Sequence, residues 1–171
     1  MKISQTLQKS SLLIGMLFSL AAMAQTSVPP AVRAAPLLYG IPLNLTAAKK
    51  VMEAAEAEAA KNGWTVAVAV VDSASQLVML HRIDGTQYGS IDIARGKATT
   101  AVNFKRETKD LQDVIARGGA GLGLLRIDGL IPLEGGVPII VDGKIVGAVG
   151  VSGMLSWQDA QVATAGASAV R

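Results

Sequence analysis

Cysteine is absent from this 171-residue chain, and histidine and aromatic residues are scarce. Without cysteine the chain can form no disulfide, no thiolate nucleophile, no zinc–thiolate site and no thioether bond to a prosthetic group. The single histidine, His81, excludes a His-x-x-x-His metal pair within one chain. Six aromatic residues are too few for the base-stacking platforms of single-strand binders, so a nucleic-acid partner is not expected.

Long apolar runs are also missing, and the one candidate lies near the N-terminus. Residues 1–24 have the order of a secretory signal: Lys2 and Lys9 accompany the apolar run Ser11–Ala22, and small residues lead up to Ala24. The run is shorter than the ~20 residues that span a bilayer. We therefore expect cleavage, no membrane attachment afterwards, and a periplasmic or secreted protein.

Removal of residues 1–24 would take away most of the chain's net positive charge. This segment holds two of the 16 basic residues and none of the 13 acidic ones, so the net charge falls from +3 to +1. Residues 25–43 contain four prolines and are predicted to be an extended lead-in. Residues 44–171 are predicted to fold as one domain, without the basic stripe of a nucleic-acid-binding protein.

Apolar spacing and turn residues predict the elements of that domain. In chain order they are a helix from Thr46 to Asn62, strands Val66–Val71 and Gln76–Ile83, helices Ile91–Phe104 and Lys109–Arg117, a short strand Leu130–Leu133, a hairpin, and a helix Trp157–Val170. Thr46, Ser90 and Thr108 are the predicted helix caps. Two strand pairs joined by helices predict an α/β (α+β) fold, with a mainly antiparallel sheet and helices packed against it.

The hairpin at Glu134–Gly153 has an unusual glycine pattern. Asp142-Gly143 suits a two-residue type I′ turn between β-branched runs. Gly147, Gly150 and Gly153 recur at every third position of the returning strand. Such glycines indicate that a helix packs tightly on the strand or that a ligand approaches the backbone closely.

Three sequence blocks together resemble the GlcG/HbpS family, which is also called the haem-degrading family and is related to the C-terminal domain of PduO-type proteins. The blocks are the glycine-patterned hairpin, Leu80-His81-Arg82-Ile83-Asp84-Gly85, and the segment from Gly89 to Ala101 that contains Ser90, Ala94 and Lys97. The resemblance implies a profilin-like fold, haem as the ligand and assembly into homo-oligomers. It covers about Leu45 to the C-terminus.

His81 and Arg82 are the first candidate contacts for haem. Imidazole is a common iron ligand, and a guanidinium can pair with propionates. The alternative is that His81 is a half-exposed strand residue and that Arg82 bridges to Asp84.

Lys97 and Thr108 complete the candidate set. Lys97 shares a helical face with Ile93, Thr100 and Phe104, so it could supply a pocket with one cation, or its stem could simply cover apolar surface. Thr108 matches a threonine that the resemblance implies in haem-iron contact, which makes it a second metal candidate beside His81. N-capping would also explain it.

These residues predict an exported protein that binds a small tetrapyrrole, haem, without covalent attachment, for sensing, storage or detoxification. An enzyme is the alternative: it would degrade haem, or act as a lyase or isomerase with Lys97, His81 and Asp84 as acid–base groups. A third possibility is a non-catalytic accessory subunit. The scarcity of nucleophiles and acid–base groups favours binding.

Export yields a direct prediction. Protein recovered from the periplasmic fraction should begin at Gln25, because small residues occupy the positions that signal peptidase reads before that bond. Intact-mass analysis checks this prediction, and a full-length cytoplasmic product would contradict it.

Overall fold

The computed structural model describes residues 36–170. The predicted signal 1–24 and the first part of the predicted lead-in lie outside the described residues. The strands are β1 (Leu38–Tyr39), β2 (Ala67–Asp72), β3 (Leu77–Arg82), β4 (Gly136–Val141) and β5 (Lys144–Ser152). The helices are α1 (Leu45–Asn62), α2 (Ser90–Phe104), α3 (Thr108–Ala116) and α4 (Ser156–Ala167), with a 3₁₀ helix at Gly119–Arg126.

The sheet is built around β5. This strand pairs antiparallel with β4 through the predicted hairpin and antiparallel with β2 on its other side, and β2 pairs antiparallel with β3. Asp142 and Gly143 both have positive φ, at 49° and 71°, as a type I′ turn requires. The predicted α+β fold with a mainly antiparallel sheet is confirmed.

Helices cover both faces of this sheet. Val68, Val70, Val149 and Val151 face α1 and α4 in the larger apolar cluster. The alternate residues of β2 pack with buried alanines of α2 on the opposite face. Because β2 is covered on both sides, its continuous apolar sequence is the pattern of a central strand.

The hairpin glycines allow backbones to approach closely. A Cβ on Gly150 would collide with the Ala94 carbonyl and the Ala98 amide of α2. A Cβ on Gly147 would meet the Val71 carbonyl of β2, and one on Gly153 would meet Thr65. Of the two explanations for the glycine pattern, tight packing is therefore the one that the described residues support.

The predicted helix caps are wrong at three positions. Asn44, rather than Thr46, caps α1, since its Oδ1 accepts from the Ala47 amide at 2.9 Å. Ser90 and Thr108 are the first residues of α2 and α3, and both are fully buried. Their hydroxyls face buried polar partners in other elements instead of the adjoining helix amides.

Two further expectations for the strands are corrected, and β3 contains an irregularity. The lead-in contributes β1, which pairs in parallel with the start of β5. Leu130–Leu133 forms no strand; the amide of Ile131 instead donates to the Thr100 hydroxyl at 2.9 Å. A register shift opposite Val70/Val71 packs Val78 against the larger apolar cluster, whereas Leu80 packs on the other face.

Close packing at Gly150 predicts a large loss of stability on substitution. Gly150→Val should lower the free energy of unfolding by ~2 kcal/mol or more, because the branched side chain must displace backbone atoms of α2. Gly123→Ala is the control, since a Cβ there meets nothing within 4 Å. Urea denaturation checks both variants, and equal midpoints would contradict the packing argument.

Candidate functional site

Lys97 is bonded inside the protein. It is the largest fully buried side chain among residues 36–170, and its Nζ donates to Asp159 Oδ2 and to the Val151 carbonyl, both at 2.9 Å. The side chains of Lys97 and Asp159 are only 2% and 3% exposed. These hydrogen bonds connect α2, β5 and α4. Because the Lys97 ammonium is buried and bonded within the protein, it is not available to a ligand.

Glycine residues close over this ion pair. A Cβ on Gly135 would lie 2.9 Å from Lys97 Nζ, and Gly135 has a φ of 122° that favours glycine. Asp159 Oδ1 also accepts from the Met154 amide at 3.0 Å. Burial raises the pKa of Asp159 above its ordinary value, although the bond from Lys97 acts to lower it.

Thr108 serves as an anchor for the start of β4. Its hydroxyl accepts from the Gly136 amide at 2.8 Å, and the side chain is fully buried. A Cβ on Gly136 would press against Thr108 and the backbone of Lys97. Contact between Thr108 and an iron ion would require this segment to open.

Arg82 lies near the end of β3 with its guanidinium over the Tyr88 ring, 4.8 Å from the ring centroid. Tyr88 is highly exposed. Strand alternation directs Arg82 and its neighbour His81 to opposite faces of β3. The two candidate haem contacts therefore do not converge.

His81 is the candidate that reaches an open cavity. Its Nδ1 lies 2.8 Å from Glu56 Oε1 on α1, and 47% of the imidazole is exposed. A carboxylate only accepts hydrogen bonds, so Nδ1 carries the proton of this contact. In the neutral ring, Nε2 then keeps a free lone pair.

The cavity beside His81 lies between α1 and the edge strand β3, and we call it the His81 hollow. Its volume is about 390 Å³, which falls within the range of small-molecule sites. Its lining residues are Lys49, Met52, Glu53, Glu56, Met79 and His81.

Sequence reasoning identified one of these six lining residues, His81, as a site residue. Lys49, Glu53 and Glu56 carry a helical periodicity that indicates a polar face, but periodicity does not say which strand lies beside that face. Asp159 was missed for a similar reason, since it lies 62 positions from Lys97 in the chain. An acidic residue on an alanine-rich, buried helix is the one available signal for it.

A second hollow, of about 400 Å³, lies where α3 meets the 3₁₀ helix. Arg106 is the one charged residue in its lining, and its Nε donates to the Phe104 carbonyl at 3.1 Å. The other lining residues are Phe104, Leu111, Val114, Ala120, Gly121 and Leu124. An apolar hollow with a cation in its lining could also accept an amphipathic acid.

Residues 36–170 contain neither a carboxylate–histidine metal cluster nor a membrane-spanning helix. No three His, Asp or Glu side chains are grouped closely enough to hold a metal ion. In the same range, no helix combines the length and apolar character needed to cross a membrane.

Comparison with known proteins reveals one consistent similarity. Residues 43–168 match the family described as "Haem degrading protein HbpS-like". Protein GlcG of Escherichia coli K12 is 41% identical over 105 residues, which are 61% of this chain and 77% of GlcG.

Solved structures agree with this match. A double mutant of HbpS from Streptomyces reticuli is 36% identical with a TM-score of 0.71, and the match covers 85% of this chain and 98% of HbpS. PduOC, solved as a complex with haem, is 28% identical with a TM-score of 0.71 and coverages of 77% and 96%.

The buried ion pair predicts coupled effects on stability. Lys97→Met and Asp159→Asn should each lower the free energy of unfolding by about 3–5 kcal/mol, because each leaves a buried charge without its partner. The double variant should lose clearly less than the sum. Chemical denaturation of all four proteins measures the coupling, and additive losses would contradict a direct interaction.

Proposed function

Because this chain belongs to the family of HbpS-like haem-degrading proteins, we propose that it captures haem reversibly at the His81 hollow. Family membership rests on the match over residues 43–168 and confirms the resemblance found in the sequence. A relative solved with haem supports haem as the ligand. The absence of cysteine excludes a thioether bond, which supports non-covalent binding.

The contact between His81 and Glu56 is the observation that carries this proposal. Metal-bound histidines commonly donate their second ring N–H to a carboxylate, which orients the ring and raises its basicity. Glu56 is 2.8 Å from Nδ1, so it prepares Nε2 to bind iron. The imidazole is half-exposed and lines the open hollow, which supports access by a large, flat ligand.

The rest of the hollow suits the edge of a tetrapyrrole. Met52 and Met79 supply apolar, adaptable surface for the ring. Lys49 supplies a cation for a propionate, a role for which Arg82 and Lys97 are poorly placed.

Binding fits the geometry better than catalysis does. Of the three acid–base groups that a lyase or isomerase would use, His81 alone lines the hollow, whereas Lys97 is bonded to Asp159 and Asp84 lies exposed after β3. We accordingly propose capture of haem for sensing, storage or detoxification. Export to the periplasm or medium and assembly into a homo-oligomer belong to the same proposal.

A haemin titration tests the ligand and its iron contact. Wild-type protein at ~10 μM should give a saturable Soret change, since that concentration detects binding of about 7 kcal/mol. His81→Ala should abolish or shift the band. An unchanged band in His81→Ala, together with weaker binding by Leu124→Glu, would move haem to the hollow at α3. No saturable change in wild type would remove haem as the ligand.

The proposed role of Glu56 has a separate readout. Glu56→Gln keeps an oxygen that can accept from Nδ1 but removes the charge, so His81 should become a weaker electron donor. The reduction potential of the bound haem should therefore rise while the Soret band persists. Spectroelectrochemistry measures this potential, and an unchanged value would exclude Glu56 as the orienting partner.

Adjacent lysines on α1 provide a matched pair for the propionate contact. Lys49 lines the hollow, and its neighbour Lys50 does not. Lys49→Ala should weaken haem binding about two- to fivefold, because an exposed ion pair contributes up to ~1 kcal/mol. Lys50→Ala should bind as wild type. Equal affinities for the two variants would contradict the assignment.

A further inference from the structure

The His81 hollow contains two thioethers that haem capture does not require as ligands. Within residues 36–170 the methionines are Met52, Met79 and Met154, and two of these three line this one cavity. Met52 lies on α1 one turn before Glu56, and Met79 lies on β3 two positions before His81.

These spacings bring the sulfur-bearing residues together. A helix advances about 6 Å over four residues, and a strand advances about 6.7 Å over two. The contact between Glu56 and His81 fixes one point at which α1 and β3 lie side by side. Four residues along the helix and two along the strand are steps of similar length. One such step before the contact lie Met52 on α1 and Met79 on β3, and both line the hollow and pack in the same apolar cluster.

The charge of the hollow complements a monovalent cation. Glu53 and Glu56 contribute two negative charges and Lys49 contributes one positive charge, so the lining has a net charge of −1 with His81 neutral. His81 presents a free Nε2, because Nδ1 is occupied by Glu56. Two thioethers and one imidazole form a soft ligand set, which selects Cu(I) over hard divalent cations.

We propose that Met52, Met79 and His81 form a binding site for a soft monovalent metal ion, Cu(I) or its redox-stable analogue Ag(I). Glu56 orients the imidazole from behind. The site goes beyond haem capture but shares His81 with it, so the metal ion and haem compete for Nε2.

Silver titration of the purified protein tests the site. Isothermal titration with Ag(I) in chloride-free buffer should give one saturable site per chain. Met79→Leu and Met52→Leu should each weaken Ag(I) binding at least tenfold, while conserving volume and hence the fold. Met154→Leu is the matched control, because Met154 lies outside the hollow, and it should bind as wild type. Thermal melting shows whether each variant folds, and Met79, which is half-buried, remains informative if Met52→Leu is unstable.

Several outcomes would overturn the proposal. These are no saturable Ag(I) binding, Met→Leu variants that bind as wild type, or equal weakening by Met154→Leu. Haem capture is judged separately, by the haemin titration of the wild type. A saturable Soret change without saturable Ag(I) binding would overturn the metal site alone, whereas saturable Ag(I) binding without a Soret change would remove haem and support the metal site. His81→Ala should lose both ligands, and prior loading with Ag(I) should weaken the haemin titration of the wild type.

Discussion

The buried ion pair of Lys97 and Asp159 is the constraint on which the rest of this domain depends. It joins α2 on one face of the sheet to α4 on the other, and the Val151 carbonyl of the central strand accepts from the same ammonium. Removing two charges from water costs several kcal/mol per ion unless their hydrogen bonds are satisfied. The Val151 carbonyl and the Met154 amide supply those further hydrogen bonds. The glycines at 135 and 136 leave room for the pair, because a side chain at either position would collide with Lys97.

Because Lys97 is buried and paired, it is not available to a ligand. The accessible candidate residue is His81, on the edge strand β3. β3 is an edge strand that α1 covers only in part, and the imidazole of His81 on this strand stays accessible. Glu56 holds that imidazole without consuming Nε2. The proposed haem contact and the proposed soft-metal site both use Nε2 of His81, so the two proposals together imply competition for one nitrogen.

Local rules explain which features could be predicted from the sequence. The hairpin was predictable because Asp142-Gly143 satisfies a turn that needs two positive φ angles, and the helix α1 because its apolar residues recur at helical spacing. Helix caps were harder. Thr46, Ser90 and Thr108 all carry a hydroxyl suited to capping. Asn44 precedes the first residue of α1 and accepts from the Ala47 amide, so it caps that helix instead of Thr46. The hydroxyls of Ser90 and Thr108 bond to buried partners in other elements.

The sequence by itself determined the types of the four α-helices and of strands β2 to β5, the exclusion of thiol chemistry, the family and His81 as the one imidazole. Tertiary structure decided which side chains meet: Lys97 meets Asp159 across 62 positions, and His81 meets Glu56 across 25. Periodicity assigns a residue to a face of its own helix or strand, but the element that packs on that face is chosen by the fold. The same argument explains why Lys97, a plausible pocket cation by spacing, is instead a buried structural charge.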